Sequence, residues 1–287
     1  MTYADLVSPP RLRALLERHG LWTRRALGQH FLVDRNIVTK IVQASGAGPE
    51  DRVFEVGPGL GVVTRPLGET ARQVLALELD ERLLPVLAQV LSGLGNVRVV
   101  PGDILRADLP ALLGEGPWLV VANLPYYITT PAISRLLAQG ERFGRMTLMV
   151  QREVAARLAS PPGSKDYGSL SVHAQSWRRV EVAFGVPASC FYPPPQVESA
   201  VVVLDPLETP VVLPERRAQF EAVVRAAFGQ RRKRLGNALA SGLGLPRPEV
   251  DRRLEQVGIS PGRRAEELAV AEFVQAARAL GEVGDAG

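Results

Sequence analysis

The sequence predicts an α/β protein: a mostly parallel sheet with helices on both faces, followed by a small all-helical domain. Three observations predict it. Short apolar runs alternate with helix-period segments between residues 35 and 150, a pattern that builds parallel sheets covered on both sides. Four of those runs end directly in a polar or glycine-rich motif, EVGPGLG, ELD, GD and NLPY, and ligands of such sheets sit outside the carboxyl ends of the strands. Beyond a proline-rich stretch at 205–214 (DPLETPVVLP) the chain reads as helix alone.

Taken in order, residues 11–20 are expected to be helical and residues 24–33 (RRALGQHFLV) a loop. Asp34 is placed to cap a helix over 35–44, where Ile37, Val38, Ile41 and Val42 share one face. Strands are expected at Arg52–Val56, Gln73–Glu78, Val97–Val100, Trp118–Ala122 and Met146–Val150. Helices are expected from about Val62, after Asp80 with Pro85 in the first turns, and near 131–139. Val180–Val186 and Ala200–Leu204, joined through SCFYPPP, read as an antiparallel hairpin extending the sheet. Further helices are expected at 215–228, 231–241, 247–257 and 265–281. The boundary falls in the proline-rich stretch, giving a catalytic domain over 1–205 and a helical domain over 206–287.

Composition bounds the function. Of 287 residues 46% are hydrophobic, enough for a full core, and 22% are charged, which argues against wholesale disorder. The net charge of +4 suits a polyanionic partner without requiring one. A single cysteine, Cys190, excludes an intramolecular disulfide and a thiolate metal cluster. His19, His30 and His173 lie too far apart for a zinc-like spacing, so no metal is expected. No run of 18 apolar residues and no signal-peptide core occur, so we expect a cytoplasmic protein without a membrane partner.

Gly57, Gly59 and Gly61 follow a strand, where glycine allows a sharp turn and close approach of backbone to a ligand. A tight strand-to-helix turn is the plainer alternative. The dinucleotide fingerprint needs a third glycine where Val62 stands, so it fails. E-x-G-x-G-x-G is instead similar to the loop of methyltransferases, whose cofactor S-adenosylmethionine has no pyrophosphate to cradle. Glu55 would then orient the loop through backbone amides or sit near the methionine ammonium, and Glu78 would accept the ribose hydroxyls. Asp80 reads better as a helix cap. Asp103 follows the third strand, either to accept from the adenine amine or as an Asx-turn residue.

Asn123-Leu124-Pro125-Tyr126 closes the fourth strand. The exocyclic amine of a base is a poor nucleophile, because its lone pair is delocalised into the ring. Two carbonyl acceptors aimed at its hydrogens favour a pyramidal nitrogen and stabilise the positive charge that develops. The Asn123 side chain and a backbone carbonyl near Leu124 are the expected acceptors. Pro125 fixes the backbone, and stacking on Tyr126 is worth roughly 1–3 kcal/mol. The plainer alternative is a proline turn with a buried tyrosine. A base must first leave its stack, and Phe191 in CFYPPP is expected on the face opposite Tyr126, or else as a hydrophobic plug over the sheet edge.

GQHFL (28–32), EVGPGLG (55–61), LELD (77–80), GD (102–103), NLPYYI (123–128), QREVAARL (151–158), YGSLSV (167–172), FYPPPQVESAVV (191–202) and FGQRRKRLGNAL (228–239) occur in this order. Together they resemble the ribosomal RNA small-subunit adenine dimethyltransferases (dimethyladenosine transferases) over residues 20–281. The resemblance implies a Rossmann-like S-adenosylmethionine-dependent fold and two adjacent adenosines in the hairpin near the 3′ end of small-subunit RNA, each receiving two methyl groups. It also implies a partner, the assembling small ribosomal subunit, and a monomeric enzyme is expected. Carried over by motif, cofactor contacts are His30, Leu32, Gly57, Glu78, Asp103 and Asn123. His30 stands where relatives often have Asn, and Tyr127 where many have Asn.

Arg231-Arg232-Lys233-Arg234 is the densest charge run. With the resemblance it reads as an RNA phosphate contact on a helix, with 231 and 234 on one face; alone it would be a solvated face. Arg24 and Arg25 are further RNA candidates. The competing readings are an assembly or transcription factor that kept the fold without the chemistry, a large-subunit resistance methyltransferase, and a DNA adenine methyltransferase.

Overall fold

The computed structural model describes residues 6–21, 29–209, 211–230 and 232–281. By backbone packing the chain divides into two compact units. The first runs to Ala155 and resumes over Glu181–Pro206; the second takes Ala156–Val180 and everything from Leu207 onward. The linker at 205–214 thus marks one edge of the division, while 156–180, expected in the first domain, packs with the helical residues. Among the described residues no helix is long and apolar enough to cross a membrane.

The first unit opens with α1 (Pro9–Arg18), started by prolines that cost no hydrogen bond in a first turn. Part of the expected loop is a short strand instead: β1 (Phe31–Leu32) pairs antiparallel with β8 (Phe191–Tyr192). Its partner lies about 160 residues away, out of reach of local pattern reading. Trp22–Gly28, with Arg24 and Arg25, lies outside the described residues.

Helix α2 (Arg35–Ser45) is capped as expected. One Asp34 oxygen accepts from the backbone N–H of Asn36 (2.8 Å) and Ile37 (3.0 Å), and Gly46 closes the other end in the left-handed region. Asp34→Ala is expected to cost about 1 kcal/mol of stability, read as a lower denaturation midpoint at unchanged slope.

The remaining elements of this unit are β2 (Arg52–Val56), α3 (Thr64–Thr70), β3 (Gln73–Glu78), α4 (Leu84–Val90), β4 (Val97–Pro101), α5 (Leu109–Leu113), β5 (Trp118–Asn123), α6 (Thr129–Leu137), β6 (Phe143–Gln151), β7 (Arg178–Val186) and β9 (Ser199–Pro206). The seven-stranded sheet has the order β4-β3-β2-β5-β6-β9-β7. Strands β2 to β6 are parallel, and β9 returns antiparallel to β6. The chain starts the sheet with β2, beside the central strand β5, works outward to β4, then crosses to β5. That reversal between β2 and β5 opens a crevice at their carboxyl ends. The central strands are apolar on both faces because helices cover both: Val53, Phe54, Val74, Ala76 and Val120 are fully buried.

The second unit comprises the end of α7 (Arg152–Ala159), α8 (Ser169–Gln175), the start of β7, and the helices α9 (Arg217–Phe228), α10 (Leu235–Leu243), α11 (Arg247–Gln256) and α12 (Val270–Leu280). Phe220, Val223, Leu239, Leu254 and Phe273 form its core, joined by Tyr167 and Val172. The Tyr167 hydroxyl donates to the Leu268 carbonyl (2.9 Å), one reason YGSLSV belongs here.

The basic run corrects an expectation. Its described residues are not on a helix: Arg232 and Lys233 occupy a turn, and Arg234 in extended conformation precedes α10. The first-turn amides of α10, on Leu235 and Gly236, bond the carbonyls of Arg263 and Pro261. Those long-range partners fix the helix start four residues later than the pattern indicated. Arg232, Lys233 and Arg234 are exposed; Arg231 lies outside the described residues.

Candidate active site

The crevice is a cleft of about 1280 Å³ including its mouth. It is lined by residues from β1, the loop after β2, the ends of β3 and β5, the turn after β4, and Phe191. Its floor is the glycine loop. Gly57 has φ +72° and donates to the Leu77 carbonyl (2.9 Å). Gly59 has φ +59°, and a Cβ there would meet the Phe31 ring at 3.4 Å. Only glycine takes both conformations without strain, so backbone rather than side chain faces the cleft.

The carboxylate that orients this loop is Glu78, not Glu55. Glu78 Oε2 accepts from the Gly59 N–H (3.0 Å) and Oε1 from the Asp80 N–H (2.8 Å). A carboxylate has about four acceptor sites, so both oxygens keep capacity for a pair of hydroxyls. Burial pushes the Glu78 carboxyl up to about 7, against the backbone hydrogen bonds that favour its ionised form. Asp80 caps the turn over Glu81–Leu83, as expected, and its acidity is increased by the Arg82 guanidinium (2.5 Å). Gln29, from the GQHFL segment, also donates to Asp80 (2.8 Å), tying the chain before β1 to the end of β3. Sequence reasoning did not single out Gln29.

Glu55 is buried at the end of β2, 3% exposed, and among the described residues its Oε2 has no well-formed hydrogen bond. Asp103 shows the turn role: one oxygen accepts from the Leu105 N–H (2.9 Å), while the half-buried residue also lines the cleft. Leu32 lines it from β1.

Asn123 ends β5, half-buried, and among the described residues nothing hydrogen-bonds its side-chain amide. Leu124 is fully buried and its N–H is spent on the Met149 carbonyl (3.1 Å). Pro125 holds φ −57°, and its carbonyl is taken by the Ile128 N–H and the Thr129 hydroxyl. The Tyr126 hydroxyl shares a 2.9 Å hydrogen bond with Ser199 Oγ, a partner from QVESA that the motif reading missed. The Tyr126 ring stacks on His30, centroids 5.9 Å apart, and His30 Nδ1 donates to the Pro193 carbonyl (2.7 Å). Phe191 lines the cleft but is 4% exposed and packed into the core. The structure thus gathers Asn123, Leu124, Pro125, Tyr126, His30, Leu32, Gly57, Glu78, Asp103 and Phe191 around one cleft. The run 232–234 belongs to the second unit.

The donor set fits an adenosyl cofactor bearing positive charge. The cleft offers acceptors (Glu78, Asp103, Asn123), a buried Glu55 oxygen with no well-formed hydrogen bond among the described residues, and a backbone floor, and no described lysine or arginine lines it. Fold and site define a Rossmann-like S-adenosylmethionine-dependent methyltransferase.

Comparison with known proteins makes this specific. The chain belongs to the ribosomal RNA adenine dimethylase family, whose model matches residues 21–281. It is 44% identical over 286 residues to the ribosomal RNA small subunit methyltransferase A of Geobacillus thermodenitrificans, covering 97% of this chain and 98% of that protein. It is 45% identical over 290 residues to the protein of the same name from Pelotomaculum thermopropionicum, covering 97% and 98%. Among solved structures, the 23S rRNA methyltransferase ErmE superposes with a TM-score of 0.67 at 27% identity, covering 87% of this chain and 99% of that one. A dimethyladenosine transferase from Plasmodium falciparum shares the fold, with a TM-score of 0.73 at 24% identity over 85% and 95% of the two chains.

Proposed function

We propose that this chain transfers methyl groups from S-adenosylmethionine to the exocyclic amines of two adjacent adenosines in the hairpin near the 3′ end of small-subunit (16S) ribosomal RNA, two to each amine. The reading includes a monomer acting in the cytoplasm on an assembling small subunit. The observation that carries the chemistry is Asn123, its side-chain amide uncommitted among the described residues, at the sheet's reversal point beside the Glu78-pinned glycine loop. The small-subunit assignment is supported by relatives that match over nearly their full length.

When bound, the cofactor supplies an electrophilic methyl on a sulfonium. The protein's residues do the rest. Glu78 keeps capacity to accept the ribose hydroxyls, and His30, Leu32, Gly57 and Asp103 line the remainder of the cofactor's place. The Asn123 Oδ1 and the Leu124 carbonyl accept the amine hydrogens of the target base, which localises the lone pair on nitrogen and offsets its developing positive charge. After one transfer the amine retains a single hydrogen, and one acceptor suffices for the second. Tyr126, its hydroxyl held by Ser199, offers a fixed ring for the extruded base to stack on. Phe191 would meet the other face only from within its packed position. The released proton leaves to solvent, so no strong base is needed.

The test is incubation with labelled S-adenosylmethionine and small subunits lacking this modification, large subunits in parallel, with the labelled nucleoside identified after digestion. Dimethyladenosine in the small-subunit hairpin supports the reading. Label in large subunits instead moves the chain toward the activity named for ErmE. No label with cofactor binding intact favours an assembly factor.

The basic run is proposed to contact phosphate. Changing Arg232, Lys233 and Arg234 together to glutamine is expected to lower the salt slope of RNA binding by roughly 2–3 and weaken affinity uniformly across sequences. An unchanged slope in a filter-binding salt series would remove the run from the interface.

A further inference from the structure

Glu55 is a charged-group position that neither the glycine loop nor the transfer chemistry uses. It ends β2 against the cleft, nearly fully buried; among the described residues no well-formed hydrogen bond reaches its Oε2, and the buried Thr64 hydroxyl on α3 is the neighbour that favours its ionised form. Among the described residues, the titratable groups around it offer no compensating cation. Glu78 on β3 repels its charge, and Asp80 and Asp103 line the same cleft. Partial burial raises the phenols of Tyr126 and Tyr127 further above neutrality, so neither carries charge, and His30 is bonded through Nδ1 to the Pro193 carbonyl. Burial, against the Thr64 hydroxyl and with the Glu78 charge adding to it, pushes the Glu55 carboxyl up to about 8.

A carboxyl in that setting responds to the charge of whatever fills the cleft. S-adenosylmethionine carries one positive charge more than its product S-adenosylhomocysteine, because transfer turns a sulfonium into a thioether. The amino and carboxylate groups are common to both. For any two charges roughly 6–10 Å apart in an effective dielectric of about 20, the interaction moves a carboxyl by about 1–2 pK units, a 10–100-fold effect.

We propose that Glu55 is the specificity-determining residue that separates cofactor from spent product: it holds a proton in the free protein, releases it to solvent when the sulfonium compound binds, and regains one after the methyl group has left. The inference rests on the cofactor reading above. Below the free-protein value the proton must be displaced, so affinity for S-adenosylmethionine rises with pH and levels off above about 8, while affinity for the thioether stays flatter.

Isothermal titration of the whole chain with each compound, at pH 7 in buffers of different ionisation enthalpy, counts the protons. S-adenosylmethionine is expected to release about half to one proton more than S-adenosylhomocysteine. The affinity ratio of the two is expected to grow about tenfold from pH 6 to pH 8. Glu55→Gln is expected to abolish the extra proton and flatten the ratio, keeping thioether affinity within about threefold. Equal proton release by both compounds overturns the proposal, as does an unchanged difference in Glu55→Gln. Should that variant not fold, the wild-type pH series decides alone, and a flat ratio is fatal. Binding of neither compound removes the cofactor reading as well, which distinguishes the two failures.

Discussion

Replacing Asn123 with alanine is expected to lower kcat for methyl transfer by about 10²–10³-fold while cofactor affinity changes by less than about tenfold. The split follows from the side chain's position. Its amide is uncommitted among the described residues, so its removal strands no protein group and should leave the fold intact. Its proposed acceptor role matters most when the adenine nitrogen turns pyramidal and gains charge, and an interaction strengthened there raises kcat more than it tightens the ground state. The Leu124 carbonyl survives the change, which keeps a residual rate above zero. Single-turnover rates at saturating cofactor, set beside direct binding of S-adenosylmethionine, read the two effects separately. A loss of binding as large as the loss of rate would make Asn123 a cofactor ligand and little else.

Much of this arrangement was legible before any coordinates, and the limits have physical causes. The alternation of short buried strands with helices placed β2 to β6, because a strand covered on both faces must be apolar throughout, as Val53, Phe54 and Val120 are. Local chemistry placed the Asp34 and Asp80 caps, since a cap and its amides lie within three residues. Long-range pairing was invisible. Phe31 and Leu32 become strand only because Tyr192 and Phe191 lie alongside, and residues 232–234 stay outside the helix because the carbonyls of Pro261 and Arg263 fix the start of α10. The same limit hid Gln29 and Ser199, whose partners Asp80 and Tyr126 stand 51 and 73 residues away. Glu55 and Glu78 show the remaining ambiguity. Both are acidic residues at the ends of central strands, and which one pins the loop depends on the path of the chain after Gly57, a tertiary fact that motif spacing does not encode.

Glu78→Ala is accordingly expected to do two kinds of damage. Cofactor affinity should fall by about 100-fold or more, because the proposed ribose acceptor disappears and the loop beneath it loses its tether. The N–H groups of Gly59 and Asp80 would lose their acceptor, at about 1–3 kcal/mol for each that stays buried and unpaired. The second effect has a pH signature of fixed sign. In the free protein the Glu78 carboxyl sits near 7, above its ordinary value of 4.5, so the folded state binds the proton more tightly than the unfolded chain. Its contribution to stability is therefore complete below about 4.5 and is lost as pH rises through about 7. The destabilisation caused by Glu78→Ala should be larger at pH 5 than at pH 8, by about 3 kcal/mol at most. Denaturant unfolding of both proteins without cofactor at the two values measures the difference directly. A penalty that grew with pH would mean that the carboxylate form is the one the fold favours, and that the backbone amides of the loop outweigh burial. In that case the glycine loop would already be set for the ribose before the cofactor arrives, and the affinity loss in Glu78→Ala would come from the missing acceptor alone.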